Sequence, residues 1–342
     1  MRAARLHEGE TAVRLEEIDT PDVRPGTVLV SIQTVFVSPF TAGLIDGSGE
    51  LSTPPRPFTP GMDAVGTVQL LGSDVSGLEI GQRVYCDCYY QSPTQGGVED
   101  FGFIGNFGVG EHSAEMLRRW RDGTLAEYML LPAECVIPIP ETVTVSDAVL
   151  CRLGWLGTAY GAFTKVGLAP GEAVAVVGGT GLVGVSGVLV ALAMGAQSIF
   201  VLGRRTDALA ELAGLNSRVQ AGTKLPDGQT FDVVLSAIEA RDASAIQAAL
   251  PTLKRSGRLV AVGVTEEPLA VSTDLIVSMD LTIRGSLWFE RRQATELLNM
   301  IAAGTLDLSS LAVEEYPLAE VGEALHATGR RRGAFQQVVV RC

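Results

Sequence analysis

Gly179-Thr180-Gly181-Leu182-Val183-Gly184 places three glycines at the G-x-G-x-x-G spacing. It follows directly on Ala173 to Val177, five small or apolar residues that read as a buried parallel strand. In such a turn the glycines permit a tight bend, close approach of the main chain to a pyrophosphate, and close packing of the next helix. The first N–H groups of that helix face the phosphates. The spacing alone is weak evidence, but its setting strengthens it. A helical apolar run from Leu182 to Met194, a stop at Gly195 and a second strand from Ile199 to Leu202 complete a βαβ unit. The chemistry expected is dinucleotide binding.

The end of that second strand separates the two nicotinamide cofactors. An NAD site usually carries Asp or Glu about 20 residues past the glycines, where it accepts hydrogen bonds from the adenosine ribose. Here the chain reads Gly203-Arg204-Arg205. A carboxylate would repel a 2′-phosphate, whereas glycine leaves room for one and guanidinium groups pair with it. A pair of solvated arginines at a strand end is the plainer alternative. The reading is NADP(H).

These residues need elements to hold them, and the chain is long enough to supply two domains. It has 342 residues, 46% of them hydrophobic, with 39 glycines. A net charge of −13 argues against nucleic acid or an anionic membrane as partner, since both need an excess of Lys and Arg. The basic cluster Arg330-Arg331-Arg332 reads as a solvated turn. No apolar run suggests a membrane span and the first residues lack a signal-peptide core, so a cytoplasmic location is expected. Cys86, Cys88, Cys135, Cys151 and Cys342 are too few and too irregular for a disulfide framework, and reduced thiols are expected.

The pattern changes near residue 147. Before it, short alternating segments broken by Pro and Gly (27–37, 64–71, 83–88 and 125–131) suggest an antiparallel, barrel-like β domain. After it, strand and helix alternate: 231–237 strand, 243–253 helix, 258–264 strand, 281–285 strand. That is the doubly wound α/β order, with ligands at the carboxyl ends of the strands. The tail differs again, with helices over 294–303 and 318–328 and a strand over 336–340.

The whole chain resembles the medium-chain dehydrogenases and reductases, which include zinc alcohol dehydrogenases and quinone oxidoreductases. Beside the nucleotide unit, the resemblance is carried by PGMDAVGTV (60–68), GQRV (81–84), DGTLAEYMLLP (122–132), GTAYGAF (157–163), SGRLVAVG (256–263) and IRGSLW (283–288). It implies an α/β protein with a GroES-like β-barrel catalytic domain over 1–147 and a Rossmann NADP-binding domain, a doubly wound parallel sheet, over 148–288. A C-terminal segment, 289–342, would return to the catalytic domain, with the active site in the cleft between the domains. It also implies a two-fold homodimer, or a tetramer of two such dimers, paired through the strand at 281–285. By register, Thr158 would lie near the nicotinamide. Ser236, Ala237, Gly263 and Val264 would end strands at the cofactor edge, and Leu287 and Trp288 would reach the carboxamide, although Trp288 is equally readable as core.

Against the zinc members, the three catalytic ligand places fall on Ser38, on Met62 beside Asp63, and on Gly154, six residues before Tyr160. Zinc takes thiolate, imidazole or carboxylate at about 2.0 to 2.3 Å, and a hydroxyl, a thioether and a glycine do not form a tight site. Cys151 is close by at the wrong spacing. The lobe that carries the structural zinc, here 85–121, keeps its length but holds only Cys86, Cys88 and one histidine, His112, which reads as solvated. No zinc is expected. The lobe is Gly-rich and aromatic (Tyr89, Tyr90, Phe101, Phe103, Phe107) and reads either as a substrate lid or as a structural lobe.

Without a metal, hydride transfer relies on hydrogen bonds from the protein. Reduction of an isolated ketone leaves a strongly basic alkoxide, whereas conjugate reduction leaves a less basic enolate. The segment 37–47 resembles the V-N-P-x-D-x5-G stretch of zinc-free quinone and enone reductases, with Ser38 for Asn and Thr41 for Asp. Ser38, Thr41 and Asp63 are therefore the catalytic candidates, each also readable as a turn, cap or buried hydrogen-bond partner. Three functions compete for a largely apolar small-molecule substrate. One is an NADPH-dependent, zinc-free reductase of a polarised double bond. Another is a zinc-free carbonyl reductase or alcohol dehydrogenase in which Ser38, Thr41 or a lobe tyrosine donates the proton. The third is a non-catalytic NADPH-binding sensor or structural partner.

Overall fold

The architecture was obtained as a computed structural model that describes residues 1–47, 51–92, 100–110, 113–330 and 333–342. The chain divides into two compact units. The first comprises Met1–Leu153, Leu311–Arg331 and Gln336–Cys342, and the second Gly154–Ser310 and Arg332–Phe335. These boundaries differ from the 147/148 and 288/289 expected from sequence. Helix Arg291–Ala302 stays with the second unit, because it buries Ala294, Leu297, Leu298 and Ile301 along one face there. His112, Arg331 and Arg332 lie outside the described residues.

The first unit is built on a seven-stranded sheet. Strand Thr27–Val37 is its spine, pairing antiparallel with Ala64–Leu71, Tyr128–Pro132 and Gln336–Arg341. Arg83–Cys86 adds to Ala64–Leu71, with Val65 opposite Tyr85. Val28, Val30, Ile32, Val35 and Val37 are all buried, so the spine is covered on both faces. The aromatic lobe forms a small sheet of Tyr89–Ser92, Asp100–Phe103 and Phe107–Val109 beside helix Ser113–Arg119. Its rings pack on one another, Phe103 against Phe107 at 4.8 Å and Tyr89 at 5.3 Å, and Phe107 edge-on to Phe40 at 5.2 Å.

The second unit holds six parallel strands in the order Val219–Gly222, Ser198–Leu202, Ala173–Val177, Phe231–Ser236, Leu253–Ala261, Thr282–Gly285. Two elements differ from the sequence pattern. The helix expected over 243–253 is only Ser244–Ala249 plus one 3-10 turn, Leu250–Thr252, which contains Pro251. The strand expected to begin at 258 begins at Leu253, its polar first half bulging at Ser256, where φ is 60°. Strand order reverses on either side of Ala173–Val177, which defines the ligand-binding edge of such a sheet.

Candidate functional site

At that edge Val177 leads into Gly178, whose φ of 79° makes the bend. The turn glycine therefore sits one residue before the motif, a position the spacing rule does not flag. The motif glycines have separate reasons to lack side chains. A Cβ on Gly179 would lie 2.2 Å from Val201 Cγ1, and one on Gly184 would lie 2.4 Å from the Gly178 carbonyl oxygen. Both are needed for helix and sheet to close together. Gly181 is different, since a Cβ there would meet only Gly178 O at 3.4 Å, an ordinary contact. Its backbone, φ −80° and ψ 175°, also suits any residue. Nothing among the described residues requires glycine at this helix N-cap, and the open space lies beside the start of helix Leu182–Ala193.

The neighbouring strand ends converge on the same edge. Ala237 N donates to Val177 O at 2.9 Å, and Gly263 N to Ser236 O at 3.2 Å. A Cβ on Gly178 would touch Ala237, and one on Gly263 would overlap the Ile238 carbonyl. Ser236 is fully buried, and its hydroxyl has no hydrogen-bond partner among the described residues. A buried orphan hydroxyl at the carboxyl end of a strand fits a polar ligand. Gly203 closes the far side, where a Cβ would lie 2.7 Å from Thr180 Cγ2. Arg204 is exposed and Arg205 half-buried. The orphan hydroxyl, the open space at Gly181 and the adjoining helix N-terminus together fit a dinucleotide.

The remaining cofactor candidates are more varied. Thr158, buried in helix Leu153–Lys165, donates its hydroxyl to Gly154 O at 2.9 Å. Val264 and Leu287 are exposed, at 70% and 47%. Trp288 is buried, stacks on Phe289 at 5.1 Å, and has φ 51°. A positive φ on so bulky a residue is held only where the surroundings fix it. Lys165, which sequence reading missed, donates to Ser286 Oγ at 3.0 Å beside these residues. Partial burial, and then the charge of Arg284, lower its pKa.

In the first unit, Ser38 caps helix Pro39–Asp46. Its hydroxyl accepts from Thr41 N at 3.2 Å and lies 3.2 Å from Thr41 Oγ1, both side chains being buried. Asp63 is fully buried, and Tyr85 donates a hydrogen bond to its carboxylate. Burial pushes the Asp63 pKa up to about 7; the Tyr85 hydrogen bond pulls it down, and the charge of Asp87 pushes it further up. Tyr85 was not a sequence candidate, because its proximity to Asp63 depends on strand register. Phe36 N donates to Asp63 O at 2.8 Å, so strand Thr27–Val37, which leads into Ser38, runs alongside Asp63. Cys88 donates its thiol to Met62 O at 2.9 Å and Cys151 to Thr34 O at 3.1 Å. Burial raises both thiol pKa values well above the ordinary range, so these are structural sulfurs in the thiol state.

This donor set does not fit zinc. The Ser38 hydroxyl serves as a cap, Met62 offers a buried thioether, and Gly154 offers no side chain. Among the described residues, no group of three or more His, Cys, Asp or Glu side chains is placed to hold a metal ion. None of their helices is long and apolar enough to cross a membrane.

Residues 24–141 match the family model of the alcohol dehydrogenase GroES-like domain, and 183–303 that of zinc-binding dehydrogenases. An alcohol dehydrogenase from Moraxella sp. (strain TAE123) is 30% identical over 320 residues, 89% of each chain. An L-threonine 3-dehydrogenase from Mesorhizobium japonicum is 26% identical over 361 residues, covering 99% of this chain and 98% of that one. Among solved structures, 2R,3R-butanediol dehydrogenase from Bacillus subtilis has a TM-score of 0.83 at 20% identity, with 100% of this chain and 99% of that chain covered. The cobalt- and zinc-bound alcohol dehydrogenase of Pyrobaculum aerophilum has 0.80 at 24%, with the same coverage. The chain belongs to the medium-chain dehydrogenase/reductase superfamily, as an alcohol dehydrogenase-like oxidoreductase with a GroES-like domain and a Rossmann domain. Members of this family are nicotinamide-dependent dehydrogenases.

Proposed function

We propose that this oxidoreductase is a zinc-independent, NADPH-dependent reductase of a polarised double bond conjugated to a carbonyl, in a largely apolar small molecule. The observation that carries the zinc-free reading is the donor set of Ser38, Met62 and Gly154, none of which makes a tight zinc bond. Gly203 and Arg204 support NADPH, since they bring no carboxylate and one positive charge where an NAD site carries an acid. NADPH when bound supplies the hydride. The chain's own part is to orient the substrate and steady the negative charge that develops on the carbonyl oxygen. An enolate is weakly enough basic for one or two hydrogen bonds to suffice. Ser38, Thr41 and Asp63 are the proposed groups on the substrate side, with Asp63 protonated below about pH 7.

Carbonyl reduction is the second reading. It is favoured by the alcohol dehydrogenase relatives and by a buried acid able to hold a proton near neutral pH. A homodimer is proposed as well, because strand Thr282–Gly285 is the edge of its sheet with every residue exposed, Ile283 included, and Val277 in the preceding helix Thr273–Met279 is 79% exposed. The function is tested by elemental analysis together with turnover in chelator, using enones, quinones and ketones and following NADPH absorbance. The expected result is enone turnover without stoichiometric zinc. About one tightly held zinc per chain, with activity lost in chelator, contradicts it.

A further inference from the structure

We infer that Lys165 is a positioning residue for the cofactor: its ammonium, on a helix face shared with Gly157 and Gly161, holds residues 286–288 in place against the nicotinamide half of the dinucleotide. The inference rests on reading this sheet edge as a dinucleotide site, and it holds for NADPH and NADH alike.

The strand registers locate these residues. Val177 lies opposite Ser236, Ser236 opposite Ala261, and Ala261 opposite Gly285, one row across four neighbouring strands. Gly178 and Ser286 follow the two ends of that row, and Ser286 N donates to Ala261 O at 2.9 Å. Adjacent strands are about 4.8 Å apart, so residue 286 stands roughly 14 Å along the carboxyl edge from the glycine turn. Gly203 lies on the other side of that turn, after strand Ser198–Leu202. A dinucleotide whose pyrophosphate meets the turn sends one nucleoside each way. Its adenosine half reaches toward Gly203, and its nicotinamide half passes Ser236 toward residues 286–288.

Helix Leu153–Lys165 meets this stretch along a single face. Gly157, Gly161 and Lys165 recur every four residues and so line up on it. A Cβ on Gly157 would lie 2.3 Å from the Phe289 ring, and one on Gly161 2.9 Å from the Trp288 carbonyl oxygen, so both glycines permit close approach. Lys165 supplies the grip: Nζ donates to Ser286 Oγ at 3.0 Å and reaches Leu287 O at 3.5 Å. Arg284 Nη1 donates to Lys165 O at 2.8 Å, so strand and helix end are tied in both directions. The grip falls where the backbone is strained, since Trp288 has φ 51°, which a bulky residue holds only when its surroundings fix it. Ser286 and Trp288 are buried, while Leu287 between them is 47% exposed. The outer two are therefore anchors, and Leu287 with its peptide groups is the surface offered to a ligand. Without the ammonium, the stretch must be ordered when the ligand binds, and that ordering lowers affinity.

The test is calorimetric titration of wild type, Lys165→Met and Ser286→Ala, with a melting curve for each. The ligands are NADPH with 2′-phospho-ADP-ribose, and NADH with ADP-ribose, the second of each pair lacking the nicotinamide. Wild type is expected to bind at least one dinucleotide more tightly than its fragment. Lys165→Met keeps the aliphatic stem and is expected to weaken that dinucleotide roughly 3- to 10-fold, while its fragment changes less than about twofold. Ser286→Ala removes the acceptor instead of the donor and is expected to show the same split, and it reads the same contact if Lys165→Met folds poorly. A wild type whose fragments bind as tightly as the dinucleotides overturns the reading that residues 286–288 meet the nicotinamide, and the inference with it. Binding of neither dinucleotide overturns the proposed function itself. A wild-type preference that both variants leave unchanged, or an equal loss of dinucleotide and fragment, overturns the role of Lys165 alone.

Discussion

Gly181 and Gly184 separate the two uses of a glycine motif, ligand clearance and internal packing. A methyl on Gly184 would sit 2.4 Å from a carbonyl oxygen and 2.5 Å from Gly179 Cα, and backbone cannot rotate away. Gly184→Ala should therefore cost about 1 to 3 kcal/mol of stability, as overpacking does, and weaken cofactor binding as a consequence. A methyl on Gly181 meets only an ordinary contact at 3.4 Å. Alanine is a poorer N-cap than glycine by up to about 1 kcal/mol. Reduced freedom of the unfolded chain returns about 0.4 to 1 kcal/mol. The net stability change for Gly181→Ala is therefore within about 1 kcal/mol of zero. Its effect falls instead on the phosphate. Displacing one charge-assisted hydrogen bond is worth about 1.5 to 3 kcal/mol, or roughly 10- to 150-fold in NADPH affinity. Urea unfolding and fluorescence titration measure the two quantities on the same samples. If Gly181→Ala binds NADPH as wild type does, the phosphate does not approach there and the reasoning fails.

Asp63 should make stability depend on pH in the direction opposite to most carboxylates. Its folded pKa of about 7 lies above the ordinary 3.8, so the native state retains the proton longer. The resulting stabilisation is full below about pH 4 and is lost as pH rises through about 7, by at most about 4 kcal/mol. Asp63→Asn should flatten that slope in urea titrations, and matching slopes for the two proteins would contradict the burial argument. Ser38→Ala and Asp63→Asn should each lower kcat more than they weaken NADPH binding, a split that equal losses in both would rule out. Light scattering at micromolar concentration should give a dimer mass, and Ile283→Glu on the exposed edge strand should shift it toward monomer. A monomeric wild type would refute the edge-pairing proposal.

The nucleotide unit was legible because its signals are local. The strand Ala173–Val177 and the start of the helix at Leu182 coincide with the apolar run and the glycine spacing. The spine strand Thr27–Val37 was equally clear from its β-branched run between turn residues. What sequence could not reach depends on register and on distant chain. The Tyr85 to Asp63 hydrogen bond follows from Val65 lying opposite Tyr85, which no local pattern fixes. The Arg205 to Gly333 bond joins residues 128 positions apart. The early start of strand Leu253–Ala261 was hidden by Lys254, Arg255 and Ser256, polar residues that read as a loop. Ser38 is ambiguous in sequence between cap and catalyst, and the structure supplies the cap geometry two residues past Phe36, whose N–H bonds the Asp63 carbonyl.

The most direct test of the central claim follows the hydride itself. NADPH deuterated at the transferring C4 position is incubated with chelator-treated protein and a conjugated enone, and the product is read by NMR. The account predicts deuterium on the β carbon, with the carbonyl intact. Deuterium on a carbinol carbon would contradict it and establish carbonyl reduction, and no transfer to any member of a broad substrate panel would contradict catalysis altogether.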